Sequence, residues 1–267
     1  MNERLFRPQF NQMDTTEKQA LMESLAARYN MTFLDLHTFD RWGQSSTTGI
    51  FEKDGRKFVF VPGDTVTLGW EQFAVGLNQE SREELEYLFR EWEMEPQNPE
   101  EMIRESMAPV RQAAIGPMLV GRELEELCWE SVKMDDPRLT AHPDWPKEFR
   151  DFAWSDSSSL TLHQSARIER TEDGFQTWIY NRTDYDELLT GLEKQGLSLP
   201  TADEWAYLCG GGCQTLFPWG DGLDYSMRLR WFEDMDEDEN RSYDMEEPNF
   251  FGLSIAYDPY MREVVQA

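Results

Sequence analysis

The sequence has few cysteines and no long apolar run. Three cysteines among 267 residues do not make a disulfide framework, because such frameworks need a higher density of paired cysteines. No apolar stretch approaches the roughly 20 residues that a membrane-spanning helix requires. The opening residues, MNERLFRPQFNQMDTTEK, lack the apolar centre of a signal peptide. Together these absences predict a cytoplasmic protein whose thiols are reduced.

Basic charge is also scarce. The chain carries 25 Lys and Arg against 52 Asp and Glu, which gives a formal net charge of −27. Such a polyanion repels nucleic acids and anionic membranes, so we expect neither as a partner. A cationic partner, a hard cation such as Ca²⁺ and a plainly solvated acidic surface all fit this charge.

Common catalytic signatures are missing. The sequence holds no Gly-x-Ser-x-Gly motif, and Gly210–Gly212 are not followed by the Lys-Ser/Thr of a phosphate-binding loop. Cys209 and Cys213 flank these glycines and are compatible with a redox pair, with metal-binding thiols or with two ordinary thiols beside a helix end. Histidine is sparse, and no ligand spacing connects its three positions: His37, His142 and His163.

One segment is dense in carboxylates. EDMDEDENRSYDMEE contains nine acidic residues between Glu233 and Glu247. Calcium takes six to eight oxygen ligands, but the glycine and terminal glutamate spacing of an EF-hand is absent. The segment is therefore either a solvated loop or a calcium site. Its candidate ligands are Asp234, Asp236, Asp238 and Asn240.

Capping and turn signals predict a mixed α+β chain. Asp14 and Glu17 form a capping box before apolar residues at helical spacing, so residues 1–47 are predicted to be an N-terminal helical extension that ends in the loop TFLDLHTFDRWGQSST. Asp54-Gly55 and Asp173-Gly174 lie between apolar runs, which predicts two β-hairpins.

Three further helices are predicted in the centre of the chain. One begins with a capping box at Ser81, one at Asn98-Pro99 and one after Thr183. The first of these helices is expected to bury Trp92 on its apolar face. The proline-rich segment DDPRLTAHPDWPKEFRDFAWSDSSS is predicted to be a long surface loop.

A short helix is predicted within LSLPTADEWAYLCGGG. Thr201 and Glu204 form its capping box, and Trp205 faces inward. Gly210 is predicted to end the helix in a left-handed conformation.

Four separated segments resemble motifs of one family. FVFVPGDTVTLGW resembles the Val-Pro-Gly-Gly-x-Phe-x-Met-Gly strand pair of the formylglycine-generating enzyme (sulfatase-modifying factor) family. LSLPTADEWAYLCGGG resembles its Arg-Leu-Pro-Thr-Glu-Ala-Glu-Trp-Glu-Tyr-Ala-Ala-Arg-Gly-Gly motif. FPWGD is similar to its Tyr-Pro-Trp-Gly-Asp, and EPNFFGL to its Pro-Asn-x-Phe-Gly-Leu. The segments occur in the family's order, and the resemblance spans residues 48–260.

The resemblance implies a C-type-lectin-like α+β domain over residues 48–267, with a small twisted antiparallel sheet, flanking helices and much irregular chain. In that fold, three aromatic side chains and two polar ones act as structural anchors. The aromatic side chains fasten loops to the sheet, and the polar ones hold backbone turns by local hydrogen bonds. These anchors are Trp205, Trp219, Phe251, Asp221 and Asn249.

The resemblance does not extend to the family's catalytic residues. Active members bind copper with two cysteines that follow a Gly-Asn-Val-Trp-Glu-Trp motif and oxidise a substrate cysteine. Neither that motif nor a cysteine follows Leu253, and Cys209 and Cys213 fall at the Ala-Arg-Gly-Gly position instead. The leading hypothesis is a non-catalytic binding or scaffold protein that recognises a protein or small-molecule ligand through its loops. The alternatives are a copper-dependent oxidoreductase that converts a protein cysteine to formylglycine, and a calcium-stabilised interaction module.

Overall fold

The computed structural model describes residues 2–95, 98–172, 174–222, 224, 226–229, 243–255 and 262–266. Packing divides the chain into two units. The first comprises Met1–Leu124 and Pro200–Ala267, and the second comprises Glu125–Leu199. The chain is α+β, as the sequence predicts, with small antiparallel sheets and several helices.

The described residues form eight α-helices and ten strands. The helices are α1 (Arg7–Phe10), α2 (Thr15–Tyr29), α3 (Gln79–Glu91), α4 (Pro99–Ser106), α5 (Pro137–Ala141), α6 (Trp145–Ala153), α7 (Tyr185–Lys194) and α8 (Ala202–Gly210). The strands are β1 (Thr32–Arg41), β2 (Gln44–Lys53), β3 (Arg56–Val61), β4 (Asp64–Leu68), β5 (Arg111–Ile115), β6 (Met118–Gly121), β7 (Trp129–Val132), β8 (Ser159–Leu162), β9 (Ala166–Thr171) and β10 (Gly174–Tyr180).

The first unit contains an antiparallel sheet in the order β1-β2-β3-β6. The hairpin predicted at Asp54-Gly55 is confirmed, since both residues take the positive φ that a two-residue turn between twisted strands requires. The loop predicted for TFLDLHTFDRWGQSST is wrong, because this segment forms β1, a tight turn and the start of β2. That turn is Trp42-Gly43, which lacks the usual Asn-Gly or Asp-Gly signal. The expected boundary between residues 47 and 48 falls inside β2.

Helices α1 and α2 cover one face of this sheet. The predicted capping box of Asp14 and Glu17 starts α2. Phe10 of α1 and Met22 of α2 are completely buried. Gly49 of β2 makes this close packing possible, because a Cβ there would lie 2.6 Å from a side-chain carbon of Met22.

The main core of the first unit brings together β3, the β4–β5 pair, α8 and the segment after residue 249. Its buried members are Val59, Val61, Val66, Leu68, Ala113, Ile115, Tyr207, Leu208, Phe250, Phe251 and Leu253. Three of these eleven residues, Phe250, Phe251 and Leu253, lie outside the helices and strands. Irregular chain is therefore part of the core.

The second unit contains a four-stranded antiparallel sheet in the order β7-β10-β9-β8. The predicted hairpin is present as β9 and β10, with Gly174 opposite Thr171; Asp173 lies outside the described residues. The long loop predicted upstream is wrong, because its segment forms α5 and α6, each with proline in its first turn. Leu139, Phe149 and Phe152 of these helices are buried in the core of this unit.

Two helix starts and one buried side chain differ from the predictions. Asn78, not Ser81, caps α3, and Asp184, not Thr183, caps α7 through a box with Glu187. Trp92 follows the end of α3 and is 66% exposed, so its predicted burial is wrong. Within the described ranges, none of the helices is long and apolar enough to cross a bilayer.

Gly211 is expected to be less tolerant of alanine than Gly55, although both take positive φ. Nothing lies within 4 Å of a Cβ at Gly55, whereas a Cβ at Gly211 would lie 2.7 Å from the ring of Phe250. Gly55→Ala should cost about 1 kcal/mol of backbone strain. Gly211→Ala should cost about 3 kcal/mol, because overpacking adds to the same strain. Urea unfolding of both variants measures the difference, and equal losses would contradict the packing argument.

Candidate functional site

Helix α8 has a defined start and a defined end. The Thr201 N–H donates to a carboxylate oxygen of Glu204 at 2.8 Å, and the Glu204 N–H donates to the Thr201 hydroxyl at 3.2 Å. The predicted capping box is therefore present. The left-handed exit is at Gly211, with φ of 62°, and not at Gly210, which is still helical. The difference of one residue reflects the three consecutive glycines, each of which permits that conformation.

Side chains from distant parts of the chain donate hydrogen bonds to carbonyl groups at the end of α8. The amide of Gln44 donates to the Gly210 carbonyl at 3.1 Å, and the Arg7 guanidinium donates to the Gly211 carbonyl at 3.0 Å. Arg7 also donates to the Gln44 side chain at 3.2 Å. Helix ends leave carbonyl groups without intrahelical partners, and these contacts satisfy two of them. They also connect α8 to α1 and to the β1–β2 hairpin.

Asn249 connects α8 to the loop that follows it. Its Nδ2 donates to the Leu208 carbonyl at 2.7 Å. Its Oδ1 accepts the N–H groups of Phe251 at 2.9 Å and Leu253 at 3.2 Å. Asn249 and Phe251 are each 1% exposed. The amide thus holds a tight turn and joins that turn to the helix.

Asp221 holds a second loop. Its carboxylate accepts the N–H groups of Val75 at 2.6 Å and Gly76 at 3.2 Å, and its other oxygen accepts that of Leu216 at 3.0 Å. The Asp221 residue is 4% exposed, whereas Val75 is 92% exposed. A buried carboxylate therefore fixes the backbone of a residue whose apolar side chain is almost fully exposed.

A row of aromatic rings extends from the tip of the β1–β2 hairpin to residues 217–219. The Phe217 and Trp219 rings stack in parallel with centroids 4.8 Å apart, and the Trp42 ring lies 5.5 Å from that of Trp219. The Arg41 guanidinium lies 5.0 Å above the Trp42 ring. All these rings are partly exposed. We call the side chains of Trp42, Phe217 and Trp219, together with that of Val75 on the loop that Asp221 joins to Leu216, the loop surface.

Trp42 is held in a backbone conformation that bulky residues rarely adopt. Its φ is 50°, in the left-handed region. Arg41, beside it, forms an ion pair with Glu247 at 2.7 Å and donates to the carbonyl of Asp244. These contacts and the ring contact with Trp219 offset the cost of the strained turn. Such strain concentrates at binding and catalytic sites, although packing alone also produces it.

Trp205 contacts a different part of the chain from the residues of the loop surface. Its indole N–H donates to the carboxylate of Glu263 at 3.0 Å. Thr201 and Gln266 form an isolated parallel bridge beside it. Trp205 therefore holds residues 262–266 against the start of α8.

The two cysteines of α8 and its exit are poorly suited to thiolate chemistry. Burial raises the pKa of Cys209 to about 12 and also raises the pKa of Cys213. Both are free thiols, as is Cys128. The thiolate is the form that attacks substrates and binds metals, and raised pKa values suppress it at neutral pH.

The part of the chain that the structure describes contains no group of three or more His, Cys, Asp or Glu arranged to hold a metal ion. The four proposed calcium ligands, Asp234, Asp236, Asp238 and Asn240, lie outside the described residues. Calcium binding by that segment stays a prediction.

The motifs identified Asp221 and Asn249, and the partners of Asn249 lie in the motifs as well. Val75, a partner of Asp221, is distant in sequence and lies in no motif. The same is true of Arg7 and Gln44, which bond to the end of α8. For the hairpin tip the local signal is weak, since Gly43 suits a two-residue turn but Trp42 does not. Comparisons with protein-family models, with curated proteins and with solved structures find no match to this chain.

Cys209 is expected to oppose folding at high pH. Its pKa is raised in the folded state, so its neutral thiol favours folding fully below pH 9, and this contribution is lost as pH rises from about 9 towards 12. The difference in unfolding free energy between wild type and Cys209→Ala should therefore shrink above pH 9. Urea unfolding across this range measures it, with Cys128→Ala as the matched control. A difference that stays constant to pH 11 would contradict the buried thiol.

Removing the Asp221 carboxylate is expected to release the loop that carries Val75. In Asp221→Ala the amide hydrogens of Val75 and Gly76 lose their acceptor and should exchange with solvent at least about tenfold faster. Asp224→Ala, which changes an exposed aspartate nearby, is the control. Hydrogen exchange followed by NMR tests this expectation. Unchanged rates at both amides would show that other contacts hold the loop.

Proposed function

We propose that this chain is a non-catalytic binding protein with the C-type-lectin-like fold of the formylglycine-generating enzyme family. It recognises a protein or a small-molecule ligand through its loop surface. The order of the four sequence motifs and the small antiparallel sheets with flanking helices support this assignment. Its family motif residues are engaged in backbone hydrogen bonds, which is a scaffold role.

The main support for a binding role is that a buried carboxylate fixes the backbone of an exposed valine. Desolvating Asp221 is costly unless hydrogen bonds compensate, and three backbone N–H groups do so here. The result is a loop with a fixed backbone and an exposed apolar tip at Val75. Fixing a loop before binding reduces the entropy that binding must overcome, so a preorganised tip suits recognition.

The negative charge of the protein favours a cationic ligand. The net charge of −27 attracts cations and repels anions at long range. The Phe217–Trp219 stack adds aromatic faces that favour cationic groups at short range. We therefore favour ligands that combine positive charge with an apolar group.

The copper-dependent alternative has weaker support. Cys209 and Cys213 do not occupy the family's catalytic positions, and burial disfavours their thiolates. The proposed location is the cytoplasm, where reducing conditions keep thiols such as these three free.

Incubation with copper, oxygen and a cysteine-containing sulfatase peptide should produce no aldehyde. Mass spectrometry with a hydrazide probe detects the product, and an active family member serves as the positive control. Aldehyde formation that is lost in Cys213→Ser would overturn the non-catalytic assignment.

Peptides selected against the wild-type protein from a random displayed library should depend on Val75. We expect Val75→Asp to weaken their binding by at least about tenfold, since a central apolar contact dominates small interfaces. Val110→Asp replaces another exposed valine and should change affinity less than about twofold. Anisotropy titration of the selected peptides measures both variants. Selected peptides that bind Val75→Asp and wild type equally would exclude the loop surface.

A further inference from the structure

The outer edge of β1 has no strand beside it among the described residues. β1 lies at the end of the sheet order β1-β2-β3-β6 and pairs with β2 over Thr32–Arg41. No backbone hydrogen bond of the described turns and loops involves these residues. A sheet edge of this kind presents a row of donors and acceptors that match an extended chain.

The register identifies the groups on that edge. The two-residue Trp42-Gly43 turn closes on the pair Arg41–Gln44, which exchanges hydrogen bonds across the hairpin. Because successive residues of a strand direct their backbone groups to opposite sides, Arg41, Phe39 and His37 bond to β2. The N–H and C=O groups of the alternate residues, Leu36, Thr38 and Asp40, point away from the sheet.

β1 lacks two of the features that usually protect edge strands. It contains no lysine and no proline, the residues that most often block strand addition. A register irregularity between Phe33 and Asp35 interrupts its first part, but Asp35–Arg41 pairs regularly with β2. Asp35–Arg41 is thus a regular segment long enough to accept a strand.

The charge of the edge selects the partner. Asp35 and Asp40 are exposed along it, and the only arginine, Arg41, is already paired with Glu247. A second copy of this chain, itself at −27, would be repelled. We propose that the β1 edge binds an extended, basic segment of another protein, which adds to the sheet as a further strand. Backbone hydrogen bonds supply the affinity in this mode, and side-chain charge supplies the choice of partner. This edge adjoins the loop surface at Trp42 but uses backbone groups of β1 in place of side chains.

A blocked nonapeptide of alternating lysine and threonine tests the chemistry. It should bind the wild-type protein in an isothermal titration. The same peptide with N-methyl groups on alternate residues cannot form the hydrogen bonds of one edge and should bind at least about tenfold more weakly. A glutamate–threonine peptide should not bind. Equal binding of the N-methylated peptide would overturn strand addition, and binding of the acidic peptide would overturn the basic partner.

Thr38→Pro tests the location. Proline removes an outward N–H without removing a bond to β2, and should weaken binding of the lysine peptide at least about tenfold. Thr38→Val is the matched control, because both variants lose the 2.8 Å hydroxyl contact with Thr47. Unchanged affinity in a folded Thr38→Pro protein, checked by circular dichroism, would overturn the proposal.

Asp40→Lys provides a second test if Thr38→Pro does not fold. Reversing this charge should weaken the lysine peptide at least about fivefold and strengthen the glutamate peptide. No change in either affinity would overturn the proposed edge. Concentration-dependent dimers in sedimentation, abolished by Thr38→Pro, would instead assign β1 to a second copy of the chain.

Discussion

The fold depends on a buried amide, that of Asn249, which joins a helix to an irregular loop. Its three hydrogen bonds satisfy one carbonyl of α8 and two amides of the following turn. That turn directs Phe250, Phe251 and Leu253 into the core. Backbone hydrogen bonds close the turn between Asn249 and Leu253 and between Gly252 and Asn249, and the Asn249 side chain accepts two further N–H groups of the segment. The apolar contacts of this segment therefore depend in part on a buried polar side chain.

The same solution recurs where other loops meet. Asp221 joins the loop of Val75 to that of Leu216, and Arg41 joins the hairpin tip to Asp244 and Glu247. Each uses a charged or amide group with several donors or acceptors, and each lies in a largely desolvated position. Buried polar groups are stabilising only when they are satisfied, so these loops are expected to have one arrangement and not many. Fixed loops on a small sheet can be adapted to different ligands without a change of fold.

Local signals explain which predictions succeeded. The capping boxes at Asp14 and Thr201 and the turn at Asp54-Gly55 each involve residues within four positions, so the sequence contained all the necessary information. The β1–β2 hairpin was missed because Trp42 occupies a turn position where asparagine or aspartate is usual. Helices α5 and α6 were missed because their prolines were interpreted as loop residues, whereas proline also suits the first turn of a helix. Asp221 and Asn249 were identified through motifs that also contain the partners of Asn249, but Val75 is 146 residues from Asp221 and lies in no motif.

The acidic composition has different consequences at the two surfaces of the first unit. In the proposed role of the loop surface, aromatic rings and Val75 provide contact area, and a negative field increases the encounter rate of cationic ligands without fixing their orientation. At the β1 edge, the hydrogen-bond row fixes the orientation of a partner but does not distinguish one extended chain from another. Charge supplies that distinction, because an exposed edge on a neutral protein would pair with its own copies. A net charge of −27 discourages self-association and leaves the edge available to a basic chain. Under both proposals, the excess of carboxylates therefore disfavours self-association at the edge and attracts a cationic partner to either surface.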